Sequence, residues 1–155
     1  MKSEIAIIGC GRIGSVHARA ITETLPMVDL VLADVEPSRA IDLANRVGAG
    51  AVDIADIWDR PNLCAVAICS STTTHVDYIC AAAEAGVAVF CEKPVSLDLD
   101  EVDRAVRAVT DSDIPFMVGF HKRFDPTHQA TKRAVVDGRV GDVHLLRITT
   151  RDPQP

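Results

Sequence analysis

At 155 residues and a formal net charge of −6, the chain has the size of one ordinary domain and lacks the basic face that nucleic-acid or membrane-surface binding requires. Hydrophobic residues make up 48% of it but aromatics only 4%, so Ala, Val, Ile and Leu carry the apolar weight. That balance suits buried strands covered by Ala-rich helices and predicts an α/β protein. No apolar stretch approaches the ~20 residues that cross a bilayer, and neither export nor membrane insertion is expected. Cys10, Cys64, Cys69, Cys80 and Cys91 form no CxxC pair and lie mostly in apolar runs, which predicts free thiols and a reduced, cytoplasmic setting. The densest basic stretch, Lys122, Arg123, Lys132 and Arg133, reads as a solvated helix face or as a seat for an anionic ligand.

Residues 5–8 are a β-branched run ending at Gly9, after which Ile13, Val16, Ala20 and Ile21 recur at helical spacing as far as Leu25-Pro26. A second strand is predicted over 28–33, then a helix opened by Glu36-Pro37-Ser38 and closed by Gly48. A brief strand at Ala51 and Val52 leads to a short helix containing Trp58, and the unbroken apolar run 63–69 predicts a strand buried on both faces. A helix over 73–85 stops at Gly86, a strand over 87–91 follows, and Asp98 with Glu101 predicts a capping box on a helix ending near Thr110. The sixth strand is predicted over 115–118. Beyond Phe120, Asp125-Pro126 opens a helix to about Val136, and 143–149 is predicted as a strand. Strands alternating with helices imply a doubly wound parallel sheet, here a dinucleotide-binding Rossmann domain over 1–120. Residues 121–155 are then the start of a second, α+β domain of which only one helix and one strand are expected.

Gly9-Cys10-Gly11-Arg12-Ile13-Gly14 is a GxGxxG placed where its mechanism requires, after the first strand and opening the first helix. Its glycines serve a tight turn, close approach of a pyrophosphate to backbone, and close packing of helix on strand, with the positive helix end facing the phosphates. Arg12 and Ile13 supply the first helical amides. Asp34 follows Gly14 by 20 residues, at the end of the second strand, where a carboxylate accepts from the adenosine ribose hydroxyls and repels a ribose phosphate. NAD is therefore expected in preference to NADP, while the Arg39 guanidinium nearby is a feature that could accommodate a phosphate.

The runs Cys69-Ser70-Ser71-Thr72-Thr73-Thr74-His75, Glu92-Lys93-Pro94, and Gly119-Phe120-His121-Lys122-Arg123-Phe124-Asp125-Pro126, taken with the nucleotide motif, resemble the glucose-fructose oxidoreductase / inositol dehydrogenase / rhizopine catabolism (Gfo/Idh/MocA) family over essentially the whole chain. Glu-Lys-Pro at the end of the fifth strand is the most specific part, and Thr150-Arg151-Asp152-Pro153 looks most like the inositol 2-dehydrogenase branch. The resemblance implies that the Ser70–Thr74 loop lines the dinucleotide, with His75 opening the next helix beside it, and the hydroxyls of Ser70 and Thr72 fall past the carboxyl edge of a strand, where ligands of such sheets bind. Read from its residue type alone, His75 is a capping or packing histidine. Ser71 stands where members commonly carry Pro.

The same resemblance gives Lys93 the catalytic role, its ammonium binding the reacting hydroxyl and polarising the developing carbonyl, with Glu92 flanking the nicotinamide ribose and a cis bond before Pro94. Bare of the resemblance, Glu92-Lys93 reads as a surface ion pair. His121 and Arg123 match a segment near nicotinamide and substrate, although His121 replaces a common Asn or Met; interdomain packing is the competing reading. The base that takes the hydroxyl proton is implied to lie in a second domain, and His128 and His144 come too early for it.

The resemblance thus implies NAD-dependent oxidation of a ring hydroxyl of a polyol or sugar, with myo-inositol first and no metal, and little turnover from this stretch alone. A non-catalytic NAD-binding or regulatory module, docking on a complementing chain or a second copy through strand 143–149, is the alternative from another class. A reductase of another carbonyl or of an imine is the third.

Overall fold

The computed structural model describes residues 2–151, and the chain separates into two compact units, Met1–Gly119 and Phe120–Pro155. In the first unit β1 (Glu4–Ile8), α1 (Arg12–Thr24), β2 (Asp29–Ala33), α2 (Pro37–Val47), β3 (Gly50–Ala51), β4 (Leu63–Ile68), α3 (His75–Glu84), β5 (Ala88–Cys91), α4 (Leu99–Asp111) and β6 (Phe116–Val118) follow one another. The strands form one six-stranded sheet in the order β3-β2-β1-β4-β5-β6, every pair parallel. The order reverses between β1 and β4, and in open sheets of this kind the crevice outside the carboxyl ends of the strands at such a point is where ligands bind.

Each face of the sheet is covered by two helices. Ile7, Leu30, Leu32 and Ala67 pack with Ala18 of α1 and Ala40, Leu43 and Ala44 of α2. The opposite set, Ala6, Ile8, Val31, Val66, Ile68 and Val89, packs with Val76, Ile79 and Ala82 of α3 and Ala105 and Val109 of α4. Small residues on the helices let them lie close to β-branched strands, which is why a chain so poor in aromatics still closes its core. At the opposite end from the crevice, Glu4 is 9% exposed and is held by Arg60 in a two-pronged ion pair, with one arm at 2.7 Å. A nearly buried carboxylate needs such a fork to offset its lost hydration.

Local chemistry explains where the elements start and stop. Pro37 enters α2 in its first turn and Gly48 ends it in the left-handed region at φ 72°. The helix predicted from Thr73 instead begins as a 3-10 turn over Thr72–Thr74 and becomes α3 only at His75. There the Thr74 hydroxyl donates to the Ser71 carbonyl at 2.9 Å, a local bond that competes with helix geometry. Residues 54–56 form a 3-10 turn, and Trp58 falls just beyond it, packed on the core. The capping box at α4 is half made: the Asp98 side chain accepts from the Asp100 amide at 2.8 Å, but Glu101 is turned to Arg104, and the Asp98 amide donates to Ser96 instead.

In the second unit α5 (Pro126–Val136) follows a 3-10 turn over His121–Arg123. The expected strand over 143–149 does not form among the described residues: the segment has no regular structure and pairs with no strand, and a strand exists only by pairing. Asp152 and Pro153 of the terminal motif lie outside the described residues. Among the described residues no helix is long and apolar enough to cross a membrane.

Ile68, wholly buried at the carboxyl end of β4, tests this packing. Ile68→Ala is expected to lower the free energy of unfolding by about 2–5 kcal/mol, measured by urea denaturation of the 155-residue chain.

Candidate functional site

The register of the sheet places one row of residues across it: Ala33, Ile8, Ile68, Cys91 and Val118 pair in succession. The ladder then continues by one more amide on β1, β4, β5 and β6, Gly9 to Ala33, Cys69 to Ile8, Glu92 to Ile68 and Gly119 to Cys91, at 2.8, 2.8, 2.9 and 2.8 Å. Asp34, Gly9, Cys69, Glu92 and Gly119 are therefore the first residues past the sheet, and the chain turns away from the strands there.

Between β1 and β4 this row opens into a cleft of about 250 Å³ whose lining includes Gly9, Gly11, Asp34, Val35, Arg39, Ile54, Ser70, Thr74 and Tyr78. Gly9 stands at φ 100°, and a Cβ on it would lie 2.5 Å from the Ser70 nitrogen and 2.6 Å from the Cys69 carbonyl carbon. A Cβ on Gly14 would lie 1.9 Å from the Gly9 carbonyl oxygen. These two glycines exist because backbone meets backbone. Gly11 differs: a Cβ there would meet no protein atom within 4 Å, so its bareness leaves the cleft mouth open rather than serving the packing. No side chain caps α1 at Gly11, and its first-turn amides are left for a ligand. The donor set and the glycine cradle fit a dinucleotide pyrophosphate.

Asp34 is held before any ligand arrives. Its Oδ2 accepts from the Cys10 amide at 2.7 Å and its Oδ1 from the Glu36 amide at 3.0 Å, so the carboxylate bridges the glycine loop and the start of α2. Each oxygen keeps a further lone pair for a ribose hydroxyl. Burial pushes the Cys10 thiol up to about 11, with the charge of Asp34 adding to it. Burial likewise raises Cys69 and Cys91 to about 12, with Glu92 adding to both. The thiols around the cleft are neutral and inert at pH 7, since the thiolate is the reactive form.

Ser70 lines the cleft, its hydroxyl 2.8 Å from that of Thr74, whereas Thr72 is turned into the 3-10 turn and is not among the lining residues. His75 is 2% exposed, with Nδ1 2.9 Å from the Pro94 carbonyl and Nε2 3.1 Å from the Ser70 carbonyl. It ties the β4 loop to the β5 loop, which is a packing role. Lys93 is exposed at the end of β5, and the Lys93-Pro94 bond is cis.

Glu92 is turned toward α1. Its Oε1 lies 2.8 Å from Nε2 of His17, and its Oε2 accepts from the Lys93 amide at 3.3 Å. The His17 ring stacks edge-on against Phe90 with centroids 5.0 Å apart, and a Cβ on Gly119 would lie 2.9 Å from Phe90 and 3.2 Å from Glu92. His17 was not singled out in the sequence, nor were Val35, Ile54 and Tyr78. The available signal was His17 three residues past Gly14, one turn into α1 on the face toward the sheet.

Arg12 and Ile13 are exposed in the first turn of α1, and neither lines the cleft. His121 and Arg123 belong to the second unit, where Arg123 lies 5.8 Å above the Phe120 ring. His128 caps α5 with Asp125: the carboxylate accepts from the His128 amide at 2.9 Å and contacts its ring at 2.8 Å, which lowers Asp125 to about 2.

The Gly9–Gly14 contact gives a direct test. Gly14→Ala forces α1 away from the loop and is expected to cost at least about 2–3 kcal/mol of stability and to abolish dinucleotide binding, read by denaturation and calorimetric titration.

Residues 3–120 match a family model described as an oxidoreductase family with an NAD-binding Rossmann fold. Over 153 residues the chain is 40% identical to the inositol 2-dehydrogenase of Rhizobium meliloti (strain 1021), covering 99% of this chain and 46% of that protein. It is 40% identical over 157 residues to the myo-inositol 2-dehydrogenase of Thermotoga maritima, covering 97% and 46%. The crystal structure of scyllo-inositol dehydrogenase from Lactobacillus casei with bound NAD(H) and scyllo-inositol superposes with a TM-score of 0.84 at 29% identity, over 92% of this chain and 43% of that one. A myo-inositol dehydrogenase from Corynebacterium glutamicum gives 0.81 at 38% identity, over 92% and 43%. The chain spans about half the length of the curated relatives it matches. By sequence and by fold, the chain belongs to the Gfo/Idh/MocA oxidoreductase family and carries its NAD-binding Rossmann fold over residues 3–120.

Proposed function

We propose that the cleft between β1 and β4 holds NAD and that the chain serves the NAD-dependent oxidation of a ring hydroxyl of a cyclic polyol, myo-inositol first. The carrying observation is the convergence of three features on one cleft: the bare glycine cradle, the uncapped end of α1, and the doubly anchored Asp34. Two relatives at 40% identity that bear inositol 2-dehydrogenase names support the substrate class.

Gly9, Gly11 and the first amides of α1 would hold the pyrophosphate, Asp34 the adenosine ribose, and Ser70 the far wall, while NAD when bound supplies the hydride acceptor. Asp34 favours NAD over NADP because its carboxylate, fixed by two amides, cannot swing away from a ribose phosphate. Lys93 is the catalytic residue of this chain. Its ammonium donates to the substrate oxygen and stabilises the negative charge that develops there as the hydroxyl proton leaves. Glu92 acts behind it: its hydrogen bonds to His17 and to the Lys93 amide steady the backbone from which the lysine reaches out. His128, committed to Asp125, is not offered as the base. The free thiols are in keeping with a reducing, cytoplasmic setting.

Two measurements bear on this reading. Saturable calorimetric binding of NAD to the chain is expected, weakened about tenfold or more by Asp34→Ala, since a hydrogen bond to a charged group is worth ~1.5–3 kcal/mol; absence of binding by the folded chain would overturn it. Where a protein carrying this chain oxidises myo-inositol, Lys93→Met is expected to lower kcat by about 10²–10³ with NAD affinity retained. A loss confined to KM would remove Lys93 from the chemistry.

A further inference from the structure

Arg39 is the one feature of the cleft that argues for a ribose phosphate, and the structure shows what it is doing. It lines the cleft beside Asp34 and Val35 on the third residue of α2, yet its Nε is paired with the carboxylate of Glu36. The backbone repeats the link, the Arg39 amide donating to the Glu36 carbonyl at 2.9 Å. Glu36 is itself joined to Asp34 through its amide, at 3.0 Å. Asp34, Glu36 and Arg39 thus form one connected group at the cleft edge, with two carboxylates to one guanidinium.

From this we infer that Glu36 is a specificity-determining residue: by engaging Arg39 it withholds the guanidinium from a ribose phosphate, so the cleft takes the dinucleotide with free ribose hydroxyls. The inference rests on the dinucleotide reading of the cleft. A ribose phosphate brings about −1.5 to −2 charges at neutral pH. It meets the fixed carboxylate of Asp34 directly, and it can recruit Arg39 only by displacing Glu36. Arg39 in the absence of Glu36 would be a planar donor suited to phosphate. The pair is solvated, its side chains 60% and 58% exposed, so the withholding amounts to no more than about fivefold in affinity. It adds to the exclusion by Asp34 and does not replace it.

The test is a double-mutant cycle on the ratio of NADP to NAD affinity, measured by displacement of NADH from the 155-residue chain at low salt. Wild type, Glu36→Gln, Arg39→Ala and the double variant are compared. The expected result is a ratio about three- to fivefold higher in Glu36→Gln, and no such rise when Glu36→Gln is made in the Arg39→Ala background. A rise that survives without Arg39 would show Glu36 acting only as a through-space charge and would overturn the inference, as would an unchanged ratio in Glu36→Gln. A wild-type chain that binds NAD while the cycle is additive sinks this inference alone; one that binds neither dinucleotide sinks the reading of the cleft with it.

Discussion

The whole site depends on the register of one row of the parallel sheet. Ala33, Ile8, Ile68, Cys91 and Val118 are paired across five strands, and each neighbouring pair of strands gives one more ladder hydrogen bond before the loops depart. Had any strand slipped by one residue, its buried set would have turned to the opposite face, so the register is enforced by the apolar patterning on both sides. The candidate site inherits that precision. Asp34, Gly9 and Glu92 are the first residues beyond the last fixed amides, and Ser70 and Lys93 follow one residue later.

Close approach of backbones is the second consequence of that row. The β1 loop lies so near the β4 loop that Gly9 has no room for a Cβ, and α1 starts so near Gly9 that Gly14 has none either. The same economy appears at the other end of the row, where Gly119 lets β6 pass beside Phe90 and Glu92. Between these contacts the loops are tied by side chains rather than by sheet: Asp34 joins the glycine loop to α2, His75 joins the β4 and β5 loops, and His17 joins α1 to Glu92. Lys93, two residues past the end of β5, ties none of these loops and is exposed.

Charge is distributed with equal economy. The cleft edge carries Asp34, and the basic residue beside it, Arg39, is paired with Glu36. Burial keeps the nearby thiols neutral, with Asp34 adding at Cys10 and Glu92 at Cys69 and Cys91, which removes them as nucleophiles at pH 7.

The parallel sheet, the glycine loop and Asp34 were legible in the sequence because each is a local pattern: apolar runs at strand length, glycines at fixed spacing before a helix, an acidic residue one strand later. The helix limits at Pro37, Gly48 and Pro126 were legible for the same reason, since proline and glycine act on their own backbone. The strand expected over 143–149 did not form because apolar content can propose a strand but only a paired neighbour makes one. His17 escaped notice, and His75 took a packing role between two loops, because those functions are set by partners 75 and 19 residues away in the chain. The sequence by itself determined the six strands of the sheet, the glycine loop and the helix limits set by proline and glycine. Which groups face one another beyond the carboxyl ends of the strands, Glu92 with His17 and His75 with the Pro94 carbonyl, was decided only by tertiary structure, since such pairings follow from strand order and side-chain direction rather than from spacing.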